Sequence, residues 1–163
     1  MTNFSQITDN EIISGVCTAI NSAYEGKLSI YKEKRQFLDL PAVAVYCSAR
    51  AKVMERFDRF TNTFSIIINY FPEDSVKINN KRMDMSIQAE KIMEAIKYIP
   101  LPAYKKNNSG GYESITLPSR ASGLQSEEQD GFIQIQATYT VRTKQVEDTV
   151  KMQKIQCKME LKQ

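Results

Sequence analysis

Carboxylates, lysines and tyrosines must carry any chemistry this chain performs, because its 163 residues include no histidine. That absence removes Ser-His and Cys-His nucleophile pairs, the commonest general base at neutral pH and the commonest metal ligand. Asp84, Glu90 and Lys91 are the set an acid–base site would draw on. They would have to converge in a cleft and perturb one another's ionisation. Glu127, Glu128 and Asp130 offer hard oxygen ligands, as do Asp84 and Glu90. Neither set has the spacing of a calcium loop, and a charged turn and a helix face account for them. Gly110-Gly111 lacks the Lys and Ser/Thr that follow in a phosphate-binding loop, and reads as a flexible turn. Ser119-Arg120-Ala121-Ser122 carries no nucleophile signature. Cys17, Cys47 and Cys157 are odd in number and show neither a CxxC nor a zinc pattern, which reads as reduced thiols in a cytoplasm. No catalytic residue, cofactor or metal is expected.

Binding is the better use for the charged residues. Arg50, Lys52, Arg56 and Arg59 cluster around Phe57 and Phe60, a pattern that suits single-stranded nucleic acid. Glu55 and Asp58 interleave with them, however, and leave a local excess of only two positive charges. The chain as a whole carries +3. A solvated or interface-facing hairpin arm is the simpler reading, with no sequence-specific nucleic acid as partner. A membrane is not expected either. No apolar run approaches the roughly 20 residues that span a bilayer, and Met1–Asn10 is polar, unlike a signal peptide.

The elements that position these residues follow from periodicity. Hydrophobic content of 42% with 25% charged residues fits one soluble domain over residues 1–163. Val43, Val45 and Cys47 alternate in Ala42–Cys47, and Phe64, Ile66, Ile68 and Tyr70 alternate in Phe60–Phe71. Both read as strands with one buried face. The simplest geometry pairs them antiparallel, with Ser48–Arg59 as the crossing or as protruding extensions of both. Pro72 ends the second strand. Phe132–Val141 gives the cleanest alternation, with Ile133, Ile135, Ala137, Tyr139 and Val141 opposite an uncharged polar set, Gln134, Gln136, Thr138 and Thr140. That polar face suits packing against further copies of the protein, or plain solvent.

Thr8-Asp9-Asn10-Glu11 is a capping-box sequence ahead of a helix that runs to about Ala23 and ends at Gly26. Leu28–Tyr31 is a short strand candidate. Met85, Ala89, Ile92, Ile96 and Ile99 predict a long helix over about Lys81 to Ile99, capped near Asn79-Asn80, stopped by Pro100 and lying on the sheet. Met83, Met85 and Met93 read as core filler. Leu101–Gly131, with its Pro, Asn, Gly and acidic residues, reads as a long mobile loop for partner contacts, with only Tyr112–Leu117 strand-like. Val146–Leu161 suits a final strand or a helix, and a strand is favoured. The fold class is therefore α+β, a mostly antiparallel central sheet with an N-terminal helix and one long helix packed on it.

This order of parts, with Arg59-Phe60, Phe64-Ser65-Ile66 and Asn69-Tyr70-Phe71-Pro72 at its centre, resembles the tail terminator proteins of Gram-positive bacteriophages and related phage-derived contractile particles. The resemblance covers roughly Glu11 to Leu161 and is weakest over the loop. It implies a non-enzymatic virion subunit, assembled in the bacterial cytoplasm into a homo-hexameric ring on the head-proximal end of a tail tube. There it would stop tube growth and offer a docking surface to a neck or connector protein, or cap a headless particle. Tube protein, and in a contractile tail sheath protein, would be its neighbours. The residues expected to face partners are Arg50, Lys52, Arg56, Asp58 and Arg59 in the arm, and Lys105, Lys106, Arg120, Glu127, Glu128 and Asp130 in the loop. A head–tail connector, another minor virion component and a small enzyme or nucleotide-binding domain are the alternatives.

Overall fold

A computed structural model describes residues 2–3, 7–33, 38–56, 59–73 and 78–144. Seven strands and two helices occur among them, in the order β1 (Thr2–Asn3), α1 (Asp9–Ala23), β2 (Ser29–Tyr31), β3 (Ala42–Arg56), β4 (Arg59–Phe71), α2 (Ile78–Ile96), β5 (Tyr98–Lys106), β6 (Tyr112–Glu128) and β7 (Ile133–Lys144). The sheet order is β1-β5-β6-β7-β4-β3-β2, and every described pair is antiparallel except β2 with β3. The α+β class read from the sequence holds.

β4 sits in the interior of the sheet, between β7 and β3, because its sequence can be buried on both sides. Ile66, Ile68 and Tyr70 face the helices, while Ile67 and Asn69 are buried on the opposite face. β3 and β7 flank it in register, with Ile68 between Val45 and Ile135 and Phe64 between Arg50 and Tyr139. The two helices cover one face. Met85, Ala89, Ile92 and Ile96 of α2 meet Ile66, Ile68, Ile135 and Tyr139 in one core cluster, which is where the helix spacing and the strand alternation place them. Each fully buried aliphatic side chain there is worth about 1.5–3 kcal/mol relative to exposure.

α1 begins at Thr8, whose backbone N–H donates to the Glu11 carboxylate at 2.8 Å, the reciprocal half of a capping box. It ends before Gly26, which adopts a positive φ of 76°. Its Ile12, Val16 and Ile20 are fully buried. Gly15 lies on the side toward β5, where a Cβ would stand 2.7 Å from the Pro100 carbonyl oxygen. The helix is thus packed closely against β5 of the sheet, and only glycine permits that approach.

Two expectations are corrected here. α2 runs from Ile78 to Ile96, so Asn79 lies within the helix rather than capping it, and Pro100 lies in β5 rather than ending the helix. Leu101–Gly131 is not a long loop. It is most of a β5–β6 hairpin, turning at Asn107–Gly111, together with the second half of β6 and the following turn. Ile99, Leu101 and Ala103 are buried and alternate with Tyr98, Pro100 and Pro102. The prolines are tolerated because, among the described residues, β5 pairs on its other edge only through Tyr104 and Lys105. The final strand expected over Val146–Leu161 lies outside the described residues.

Candidate interaction surfaces

The carboxylate set proposed for acid–base work does not form a site. Asp84 accepts from the Tyr70 hydroxyl at 3.1 Å and from Gln88 Nε2 at 3.4 Å. Tyr24 donates its hydroxyl to Gln88, and Lys91 Nζ sits 4.1 Å from the centre of the Tyr24 ring. Glu90 points to solvent. Burial, then the Asp84 charge, pushes the Tyr24 hydroxyl up to about 12. The same two causes push Tyr70 up as well, with its hydrogen bond to Asp84 adding to them. These phenols are weaker acids than usual, the reverse of an activated group. The cluster is a polar latch joining α1, α2 and β4. Burial likewise raises the thiols of Cys17 and Cys47, which disfavours the reactive thiolate. Among the described residues no three His, Cys, Asp or Glu side chains are grouped to hold a metal.

The charged residues are arranged by end. β3 and β4 remain paired from Ala42↔Phe71 to Arg56↔Arg59, and β7 accompanies β4 as far as Arg59↔Lys144. The arm is therefore a three-stranded extension of the sheet, the protruding form of the two read from the sequence. A register shift between Cys47 and Ala49 reverses the parity of β3. Arg50, Lys52 and Met54 consequently join the helix-side face, opposite Phe64, Asn62 and Phe60. Beyond the helices that face is mixed, with polar groups set among Met54, Phe60 and Val141. Asn62 donates to Thr143 Oγ1 at 2.7 Å in a buried pair, and Lys52 Nζ lies 4.2 Å from the centre of the Phe60 ring. Arg50 reaches Asp9 at 3.1 Å, Arg142 reaches Glu55 at 3.6 Å, and Val53 and Met54 are exposed. Arg59 is exposed at the start of β4 and Arg56 closes β3. Asp58 lies outside the described residues.

The six residues that the sequence groups into one loop separate widely. Lys105 and Lys106 close β5, beside Glu113 and Tyr112 across the hairpin. By strand direction that turn projects toward the arm end of the sheet. Arg120 sits midway, opposite Tyr98. Glu127, Glu128 and Asp130 lie at the far end, where β6 turns into β7 beside Phe71 and Pro72. There Glu128 pairs with Arg82 at 3.0 Å, and a cavity of about 650 Å³ is lined by Pro72, Lys81, Arg82, Met85, Glu128 and Asp130, among others. β4 alone separates the two ends by roughly 40 Å at strand rise. One end is basic and the other predominantly acidic. Sequence spacing did not reveal this, although the Asn107–Gly111 turn between two alternating runs was the available signal.

The uncharged polar face is real as a surface. Asn69 opposes Gln134, Ser65 opposes Thr138 and Thr63 opposes Thr140, and Gln125 Nε2 donates to Gln136 Oε1 at 2.6 Å. Among the described residues Asn69 Oδ1 is the buried side-chain atom without a hydrogen-bond partner.

Residues 11–151 match the family model described as phage tail terminator protein. No curated protein matches the chain. The family match spans most of the 163 residues, and the chain belongs to that family. It is a structural component of a phage tail, and no described helix is long and apolar enough to cross a membrane.

Proposed function

We propose that this subunit forms a homo-hexameric ring on the head-proximal end of a tail tube, ends tube polymerisation there, and presents the next surface to a neck or connector protein. Sheath protein would be a further neighbour in a contractile tail, and assembly would take place in the bacterial cytoplasm. The observation that carries this reading is the family match over residues 11–151. The polarity of the subunit supports it. A subunit that stacked head to tail like the tube would propagate without limit, so a terminator needs one surface that tube protein matches and one that it cannot continue. The basic arm, with Arg50, Lys52, Arg56 and Arg59, and the acidic turn, with Glu127, Glu128 and Asp130, give the chain two unlike ends. The polar strip from Thr63 and Thr140 to Asn69 and Gln134 is a third surface suited to a neighbouring protein.

Deletion of the gene tests the reading. Tubes should then grow to irregular, excessive length on intact baseplates, and the wild-type gene in trans should restore a uniform length. Normal tube length with failed head attachment would replace the terminator with a connector.

A further inference from the structure

Two of the strand edges that carry no partner strand among the described residues lie on opposite sides of the sheet. β2 covers the outer edge of β3 only at Ala42, Val43 and Ala44. β5 covers β6 only as far as Arg120, which leaves the outer edge from Ala121 to Glu128 open, apart from the Ala121 N–H, which donates to the Lys97 carbonyl at 2.9 Å. Open edges of this length are templates for strand addition. Their charges differ in sign. The β3 edge carries Arg50, Lys52 and Arg56 against the single Glu55, and the β6 edge ends in Glu127 and Glu128.

We infer that adjacent copies are joined by strand addition, the outer edge of β3 from Ala49 to Arg56 in one copy pairing antiparallel with the outer edge of β6 from Ser122 to Glu128 in the next. This rests on the ring reading. Direction allows it: β3 and β6 run antiparallel within one sheet, so a second copy placed beside the first continues the ladder in the same sense. The two edges are different surfaces, so the contact is head to tail and leaves each copy with one edge for the next, as a closed ring needs. Parity narrows the register. Arg50, Lys52 and Met54 share the helix-side face with Leu124, Ser126 and Glu128. Setting Arg50 opposite Glu128 keeps both faces continuous, puts Lys52 diagonal to Glu128 and brings exposed Met54 to Leu124. Val53 then stands opposite Gln125 on the other face. Opposite charges across such a pair are favourable, and like charges directly opposite are not. The basic edge therefore avoids a second basic edge, and the acidic edge a second acidic one.

Within one copy Arg50 is level with Ala121, through Phe64 and Tyr139. The proposed register therefore offsets neighbours by the stretch from Ala121 to Glu128, roughly 20 Å at strand rise. A closed sheet absorbs such an offset by tilting its strands from the ring axis.

Tails purified from cells producing Val53→Cys/Gln125→Cys test the contact. β4 and β7 lie between these positions in a single copy, so a disulfide between them must join two copies. Non-reducing electrophoresis should show a ladder of covalent multimers that reductant collapses. Val53→Cys/Ser126→Cys, on opposite faces, should give none. Arg50→Glu/Lys52→Glu should lower the fraction of ringed tube ends by roughly tenfold or more, and adding Glu127→Lys/Glu128→Lys should restore it, since reversed pairs are again opposite in sign. Ringed tube ends with no ladder and no restoration would overturn this contact while leaving the terminator reading intact. A Val53→Cys cross-link to tube protein would overturn it in favour of that partner. Wild-type tube ends without any ring would remove the reading on which it rests.

Discussion

The same three strands behave differently on the two sides of the register shift after Cys47. From Ala42 to Cys47, β3 lies with β4 and β7 under two helices, and Val43, Val45, Ile66, Ile68 and Ile135 are buried. From Ala49 to Arg56 the ladder continues, yet Val53 and Met54 are exposed and the described charged groups make only partly solvated pairs. Backbone hydrogen bonding is common to both regions, so it is not what separates them. Apolar burial is. The arm gains little from it and is held as an extension of a strand pair anchored elsewhere. A region built this way can change its surface charge at little cost to folding. The region under the helices has no such freedom.

The sharpest way to break this contrast is at the core. Ile92→Ala should cost about 2–5 kcal/mol, the usual range for emptying a packed aliphatic site, measured by chemical denaturation. A loss under about 0.5 kcal/mol, the size of a surface change, would mean that α2 does not hold the sheet. Tyr139→Phe comes next. Its hydroxyl donates to the Ile96 carbonyl at 2.6 Å, satisfying one of the carbonyls that a helix C-terminus leaves open. Losing that partner in a buried site should cost about 1–3 kcal/mol, read by the same denaturation.

Alkaline pH gives a smaller, graded test. Tyr24 and Tyr70 are raised above the ordinary phenol value of 10.0 in the folded state. Their contribution to stability should be level below pH 10, where both states hold the proton, and should fall above it as the unfolded chain releases protons first. For Tyr24 the decline should run to about 12. Tyr24→Phe should flatten that decline, and an unchanged slope between pH 10 and 12 would dismiss the latch. Smallest of all, Arg59→Glu or Arg50→Glu should move folding stability by no more than about 0.5 kcal/mol.

Much of the covered region was legible because burial writes a period into the chain. Phe64, Ile66, Ile68 and Tyr70, the alternate residues from Ile133 to Val141, and Met85, Ala89, Ile92 and Ile96 each marked the face they bury. β5 and β6 escaped because Pro100, Pro102, Pro118 and Gly123 are loop signals when no pairing partner is known. Here the prolines lie in a hairpin with one edge largely open among the described residues, and Gly123 lies at a bulge where β6 passes from β5 to β7. Grouping Lys105, Lys106, Arg120, Glu127, Glu128 and Asp130 as one surface failed for a geometric reason. Residues close in sequence are far apart along an extended strand, and β6 spans 17 residues, roughly 50 Å. The parity reversal after Cys47, which decides the face of Arg50 and Lys52, leaves no mark in composition.

The central claim is that the arm serves assembly rather than folding. It is tested most directly by complementing a gene deletion with Arg50→Glu/Lys52→Glu/Arg59→Glu and measuring tail length by imaging alongside the melting temperature of the purified variant. The account predicts a melting temperature close to wild type together with tubes as long and irregular as in the deletion. Tubes of uniform wild-type length, made by a variant whose arm charges are reversed, would contradict it.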